Sequence, residues 1–125
     1  MNYSFSWHSF EFRHSNWYNE GTFTLLEKNN IILCIANSPS FPKIEHLTTD
    51  FCYIRFHGGK ELYSSEYSQS ELALWSEKSC QFMEKAPTLL AYFNNDAQGF
   101  AVKNARQFRE MVCNNIQSLG IRDQD

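Results

Sequence analysis

Three short stretches set charged or amide side chains among strand-like neighbours: Glu11-Phe12-Arg13-His14, Tyr53-Ile54-Arg55-Phe56-His57-Gly58 and Tyr92-Phe93-Asn94-Asn95. Glu11 and His57 are residue types that take up and release protons in general acid–base chemistry. Arg13 and Arg55 carry fixed positive charge on a planar donor fork, which suits a carboxylate or a phosphate. Asn94 offers both a donor and an acceptor with which to orient a polar ligand. Side chains alternate across a strand, so Glu11 shares a face with Arg13, and Arg55 shares one with His57. The pattern predicts a site where Glu11 and His57 handle protons while Arg13, Arg55 and Asn94 hold a small polar or anionic molecule. It does not choose among hydrolase, lyase and isomerase, nor between turnover and binding alone.

A structural role is open to each of these residues as well. Glu11 and Arg13 could form an ion pair inside the fold, although desolvation cancels much of the attraction of such a pair. Arg55 could pair with Glu11, and His57 could hold the Gly58-Gly59 turn. Asn95 suits the cap of the helix that follows, and His14 suits a turn before Trp17. Asn104, polar on an otherwise apolar stripe, is expected to bond a loop carbonyl. Glu11, His14 and His57 are metal-binding residue types, but no spacing such as H-x-x-x-H accompanies them. No metal site is assigned on these grounds, and the sequence names no cofactor.

The elements that must position these residues follow from periodicity. Strands are expected over residues 5–13, 31–36, 51–56 and 88–93, the second as a continuous apolar run of the kind buried on both faces. Helices are expected over 19–28, 68–86 and 98–114. The first stops at Asn29-Asn30, the second starts on the Ser68…Glu71 capping pattern and stops at Pro87, and 38–47 reads as a loop. Strands alternating with helices indicate an α/β fold with a parallel sheet. Parity puts Phe10, Phe12, Cys52, Ile54, Phe56, Leu89, Ala91 and Phe93 on the helix-covered face. Glu11, Arg13, Tyr53, Arg55, His57, Tyr92 and Asn94 fall on the other.

A chain of 125 residues can build one domain with a real core, and an aromatic content of 16% argues against disorder. The net charge of −3, without a basic cluster, argues against a nucleic-acid partner. Cys34, Cys52, Cys80 and Cys113 are scattered, with no C-x-x-C pair, and read as small buried hydrophobes in a reducing compartment. Met1-Asn2-Tyr3-Ser4-Phe5 has neither the basic region nor the apolar run of a signal peptide, and no segment has the apolar length of a membrane span. A cytoplasmic protein is expected.

The runs Glu11-Phe12-Arg13-His14-Ser15-Asn16-Trp17, Thr49-Asp50-Phe51-Cys52-Tyr53-Ile54-Arg55-Phe56-His57-Gly58 and Tyr92-Phe93-Asn94-Asn95-Asp96 resemble the YecE-like family, domain of unknown function 72. Tyr67-Ser68, Glu71-Leu72, Trp75, Gly99, Ala101 and Asn104-Ala105 continue the likeness in the family's order. Two departures stand out: Gly59 where the family is often basic, and the polar His8-Ser9 in the first strand. The resemblance implies a TIM-type (β/α)8 barrel and no assigned activity. It covers the family's carboxyl-terminal half, and a whole barrel takes about 250 residues. The implied architecture is therefore half a barrel over residues 1–117, with four parallel strands and three main helices, followed by a frayed tail over 118–125. Self-association or a complementary amino-terminal half-barrel is the partner this implies. A truncated or split-gene product without activity of its own is the alternative, as is a non-catalytic binding barrel.

Overall fold

The computed structural model describes residues 7–119. In chain order these form β1 (Ser9–Phe10), α1 (Glu20–Lys28), β2 (Ile32–Leu33), β3 (Ile35–Asn37), β4 (Phe51–Phe56), α2 (Gln69–Phe82), β5 (Thr88–Phe93) and α3 (Phe100–Ser118). Short 3-10 turns occupy Ser15–Trp17 and Ala97–Gly99. β1 pairs with β2 in one sheet, β3, β4 and β5 form a second in that order, and every pairing is parallel. Parallel strands with three intervening or flanking helices make this an α/β fold, as expected.

The strand count differs from the expected four. The run over 31–36 is not one strand: β2 and β3 meet at Cys34 and belong to different sheets. Thr48 supplies a physical reason. Its hydroxyl accepts from the Leu33 amide at 3.0 Å and donates to the Ile31 carbonyl at 2.6 Å. Those backbone groups are thus satisfied by a side chain instead of a neighbouring strand. The expected first strand over 5–13 is also shorter. Its ladder covers Ser9–Phe10, the length over which β2 lies beside it, and residues 5 and 6 fall outside the described region. The tail over 120–125 lies outside it as well, and α3 runs to Ser118, one residue beyond the expected domain limit.

Helix starts follow local chemistry, and α2 ends at Phe82, short of the expected stop at Pro87. Asn19 caps α1 by accepting from the Thr22 amide, and Asn30 beyond its other end adopts a left-handed φ of 55°. Ser68 and Glu71 form the full capping box of α2. The inner stripe of α3 carries Ala101, Asn104, Ala105, Phe108, Met111 and Val112 against the sheet and α2.

Alternation along β4 is strict: Cys52, Ile54 and Phe56 are fully buried toward the helices, and Phe51, Tyr53 and Arg55 are partly open. Phe56 is the hub of the core. It stacks on Phe93 at 4.3 Å between ring centres and meets Tyr67, Trp75 and Phe108 edge-on. Truncating such a residue to alanine costs about 3–5 kcal/mol, so the helix-covered face anchors the opposite, polar face. Cys34, Cys52 and Cys80 are buried as expected; Cys113 is exposed, because it falls just off the apolar stripe of α3.

Candidate functional site

Register gathers the polar residues at one end of the strands. Phe10 lies beside Leu33, which sets Glu11 beside Cys34. Arg55 is the penultimate residue of β4, and His57 follows its last. The His57 amide donates to the Asn37 carbonyl at 2.9 Å, and the Asn94 amide donates to the Phe56 carbonyl at 3.0 Å. The parallel ladder therefore continues one step past β4 and β5, and sets Asn94 beside His57. All five candidate residues stand at the carboxyl ends of their strands, where βα loops begin.

Glu11 is the centre. Its Oε1 accepts from Arg13 Nη2 at 3.1 Å and from Arg55 Nη1 at 3.2 Å, and its Oε2 lies 2.6 Å from His57 Nε2. The Cys34 thiol points at the same Oε2 from 3.9 Å. Exposure falls inward: the side chain of Arg13 is 52% exposed, that of Arg55 27%, Glu11 10% and His57 0%. Burial alone would raise the Glu11 carboxyl. Hydrogen bonds from His57 and Arg13, with the charges of His57 and Arg55, outweigh it and hold the group below its ordinary value. An ionised carboxylate only accepts, so the proton in the short contact belongs to His57 Nε2. Arg13 is pushed up by its bond to Glu11 foremost, against a smaller opposing effect of burial, and the Tyr63 hydroxyl adds to the rise.

Three buried polar atoms in this region have no hydrogen-bond partner: His57 Nδ1, Arg55 Nε and Asn94 Oδ1. Glu11, Arg13, Arg55 and His57 thus form one bonded cluster, and Asn94 stands in register beside it without joining it. Among the described residues, no group of three His, Cys, Asp or Glu side chains is placed to hold a metal.

Several participants were not assigned to the site from sequence. Cys34 stands beside Glu11, and the 31–36 run, apolar throughout, has no alternation that marks it. Its thiol is pushed up to about 12, by burial first and then by Glu11, so it stays a thiol. Phe41 and Tyr63 wall His57 edge-on at 5.2 and 5.5 Å; both lie in loops where no periodicity marks them. Tyr67 donates to Asn37 Oδ1 at 2.6 Å and accepts from the Gly58 amide at 2.8 Å, tying the turn after His57 to β3. Gly58 has a φ of 113°, and a Cβ there would run into the Glu61 carbonyl oxygen.

Asn95 departs from expectation. It caps no helix: it is fully buried, and its Nδ2 donates to the Ser65 carbonyl and to Asn104 Oδ1, both at 3.0 Å. The 3-10 turn after it, Ala97–Gly99, has Asp96 at its N-cap position, and Asp96 makes no side-chain cap. Asn104 does bond a loop carbonyl, that of Tyr67 at 3.2 Å, and accepts the Tyr67 amide at 2.9 Å. His14 lies in the turn, with Nδ1 accepting from the Asn16 amide.

This cluster at the carboxyl ends of parallel strands carries the sequence runs that resembled a known family. The family described as "Protein of unknown function DUF72" matches residues 3–124, nearly the whole chain. The chain belongs to the DUF72 family. A solved structure of a DUF72 protein from Thermotoga maritima aligns at a TM-score of 0.78 with 31% identity, over 86% of this chain and 46% of that one. A second, from Enterococcus faecalis, aligns at 0.75 with 21% identity, over 84% and 46%, a likeness of fold. This DUF72 chain thus spans about half the length of the solved relatives it matches. No curated protein matches it. Among the described residues, no helix is long and apolar enough to cross a membrane.

Proposed function

We propose that this DUF72 chain supplies one side of a barrel-type site for a small polar or anionic molecule. Glu11 and His57 handle protons there, and Arg13, Arg55 and Asn94 bind. The observation that carries this reading is the 2.6 Å contact of Glu11 Oε2 with His57 Nε2, made inside a cluster that also holds two guanidinium groups. A carboxylate bonded to one ring nitrogen fixes the orientation of the imidazole and leaves the other nitrogen, Nδ1, for proton exchange. Arg55 uses Nη1 on Glu11 and keeps Nε unpartnered, and Asn94 Oδ1 is unpartnered too. A polar ligand would satisfy such groups.

The test is a titration of the isotope-labelled chain with acetate, inorganic phosphate and small hydroxy acids, read at the His57 and Arg55 side chains by NMR. Saturable shifts that vanish in Arg55→Met support the site. Shifts that are equal in parent and variant, or absent with every compound, would defeat it. Turnover of a bound compound, measured against binding alone, separates an enzyme from a binding barrel.

One observation favours an incomplete site in the isolated chain, the half-barrel reading. β5 has no strand beyond it among the described residues. Beside it, between β5 and α3, runs an apolar groove of about 330 Å³ lined by Leu89, Ala91, Ala105, Phe108 and Val112. The solved relatives carry roughly as much chain again. The occupant that fits an open parallel edge with an apolar groove is a strand–helix unit of an amino-terminal half-barrel. Sedimentation of the chain alone is expected to show dimers or aggregates. A monodisperse monomer with a sharp, cooperative melt would refute the half-barrel.

A further inference from the structure

We propose that Arg13, Phe41 and Tyr63 form a movable cover over His57, and that opening the cover is what gives a ligand access to Nδ1. His57 is fully buried, yet its Nδ1 has no hydrogen-bond partner. A buried polar atom left unpaired costs free energy, and such an atom at a functional site calls for an occasional partner. The groups that enclose it belong to loops. Phe41 and Tyr63 meet the imidazole edge-on, and the Arg13 guanidinium lies over the Phe41 ring at 4.5 Å. Arg13 and Tyr63 are themselves exposed on their outer sides.

Tyr63 has a left-handed φ of 63°, a conformation that strains an aromatic residue. The segment bearing it is cross-linked internally: Ser65 Oγ accepts from the Lys60 and Glu61 amides and donates to the Glu61 carbonyl, each at 3.1 Å. It is joined to its surroundings by few bonds. The Tyr63 amide donates to the His57 carbonyl, the Gly58 amide donates to Tyr67, Asn95 donates to the Ser65 carbonyl, and Lys103 of α3 makes an exposed ion pair with Glu66 at 2.6 Å. A segment stapled to itself and lightly attached elsewhere moves as a body, at low opening cost. Gly58, with its φ of 113°, stands at one end as the hinge.

The cover rests on the reading of His57 as the site's proton-handling group, but its test needs no ligand. The intact chain is treated with diethyl pyrocarbonate, and the modification rate of each histidine is followed by peptide mass spectrometry. His57 in the folded parent is expected to react at least about tenfold more slowly than in urea, as a closed state with a low opening cost predicts. Tyr63→Gly removes the ring and relieves the strained backbone. It is expected to raise the His57 rate by about tenfold or more while leaving that of His14 unchanged, with Phe41→Ala doing the same. Tyr63→Phe keeps the ring and should keep His57 slow. Amide exchange over residues 59–66 should be at least about a hundredfold faster than in β4.

The cover is overturned if His57 reacts as fast folded as in urea. It is equally overturned if both ring-removing variants fold and leave the rate unchanged, or if the 59–66 amides are as protected as β4. Should the cover fail while the NMR titration succeeds, the proton-handling site stands without a gate. Should the titration fail while the labelling succeeds, the cover closes over a structural histidine.

Discussion

Glu11→Gln keeps the shape of the central residue and removes its charge, so it measures what the carboxylate holds together. Three cationic or donor groups lose their partner. Arg13 is half exposed, and an exposed pair of this kind is worth less than about 1 kcal/mol. Arg55 is about one-quarter exposed, which places its charged hydrogen bond near about 1 kcal/mol after screening. His57 is fully buried, and its bond to a charged group is worth about 1.5–3 kcal/mol. The glutamine amide returns one acceptor and adds a donor against three donors, so a net loss of about 2–3 kcal/mol is expected. In a domain of this size that lowers Tm by about 8–12 °C. Urea melts of the parent, Glu11→Gln, Arg13→Ala and the double variant give the partition, with Arg13→Ala expected to cost less than about 1 kcal/mol. A Glu11→Gln chain within about 0.5 kcal/mol of the parent would refute the reasoning, since surface changes cost no more.

Acid should act through the same residue. The folded Glu11 carboxyl is depressed, so its contribution is fully present above the ordinary carboxylate range and is lost as pH falls through the folded value. The Tm difference between parent and Glu11→Gln should therefore shrink as pH falls below the ordinary carboxylate range, and a constant difference would contradict this. Thiol labelling under native conditions should mark Cys113 while Cys34, Cys52 and Cys80 wait for denaturant; early labelling of Cys34 would show that its surroundings open. Tyr67→Phe deprives Asn37 Oδ1 and the Gly58 amide of their shared partner and should cost about 1–3 kcal/mol in a urea melt. An unchanged stability would mean that water replaces the hydroxyl.

Parity was the most productive signal in the sequence. It placed Cys52, Ile54 and Phe56 under the helices and Arg55 on the opposite face, because a strand with period two has no other arrangement once one side is buried. Capping was legible for α2, where Ser68 and Glu71 act on amides a few residues away, whereas Asn19, read as the first helical residue, is the cap of α1. What escaped notice depends on residues distant in sequence. Thr48 splits the 31–36 run through bonds to Ile31 and Leu33, and nothing in that run announces it. Asn95 looked like a cap because asparagine before a helix usually is one. The buried partners that claim it, Ser65 and Asn104, arrive from other elements. Phe41 and Tyr63 came from loops, where side-chain direction follows no period. Among the site residues, Glu11 and His57 were legible as types, but their contact spans 46 positions of sequence and only the fold reveals it.

The break at Cys34 changes what the ion cluster is for. Backbone pairing changes partner there: the Cys34 amide still donates to the Phe10 carbonyl at 2.8 Å, and from Ile35 onward the chain pairs with β4, so β1 and β2 are laddered to each other and β3 to β5 among themselves. Glu11 hangs from the first group, whereas Arg55 and His57 belong to the second. The bonds from Glu11 to those two residues therefore reach across the segment that joins the two groups, and tie β1 to β4 where no backbone ladder pairs them directly. Whatever weakens the bonds of Glu11, whether acid, a competing anion at Arg55 or a proton moved onto the carboxylate, would be felt as slack between β1 and β4. A fastening that rests on one carboxylate reports the protonation of that carboxylate to the fold around it.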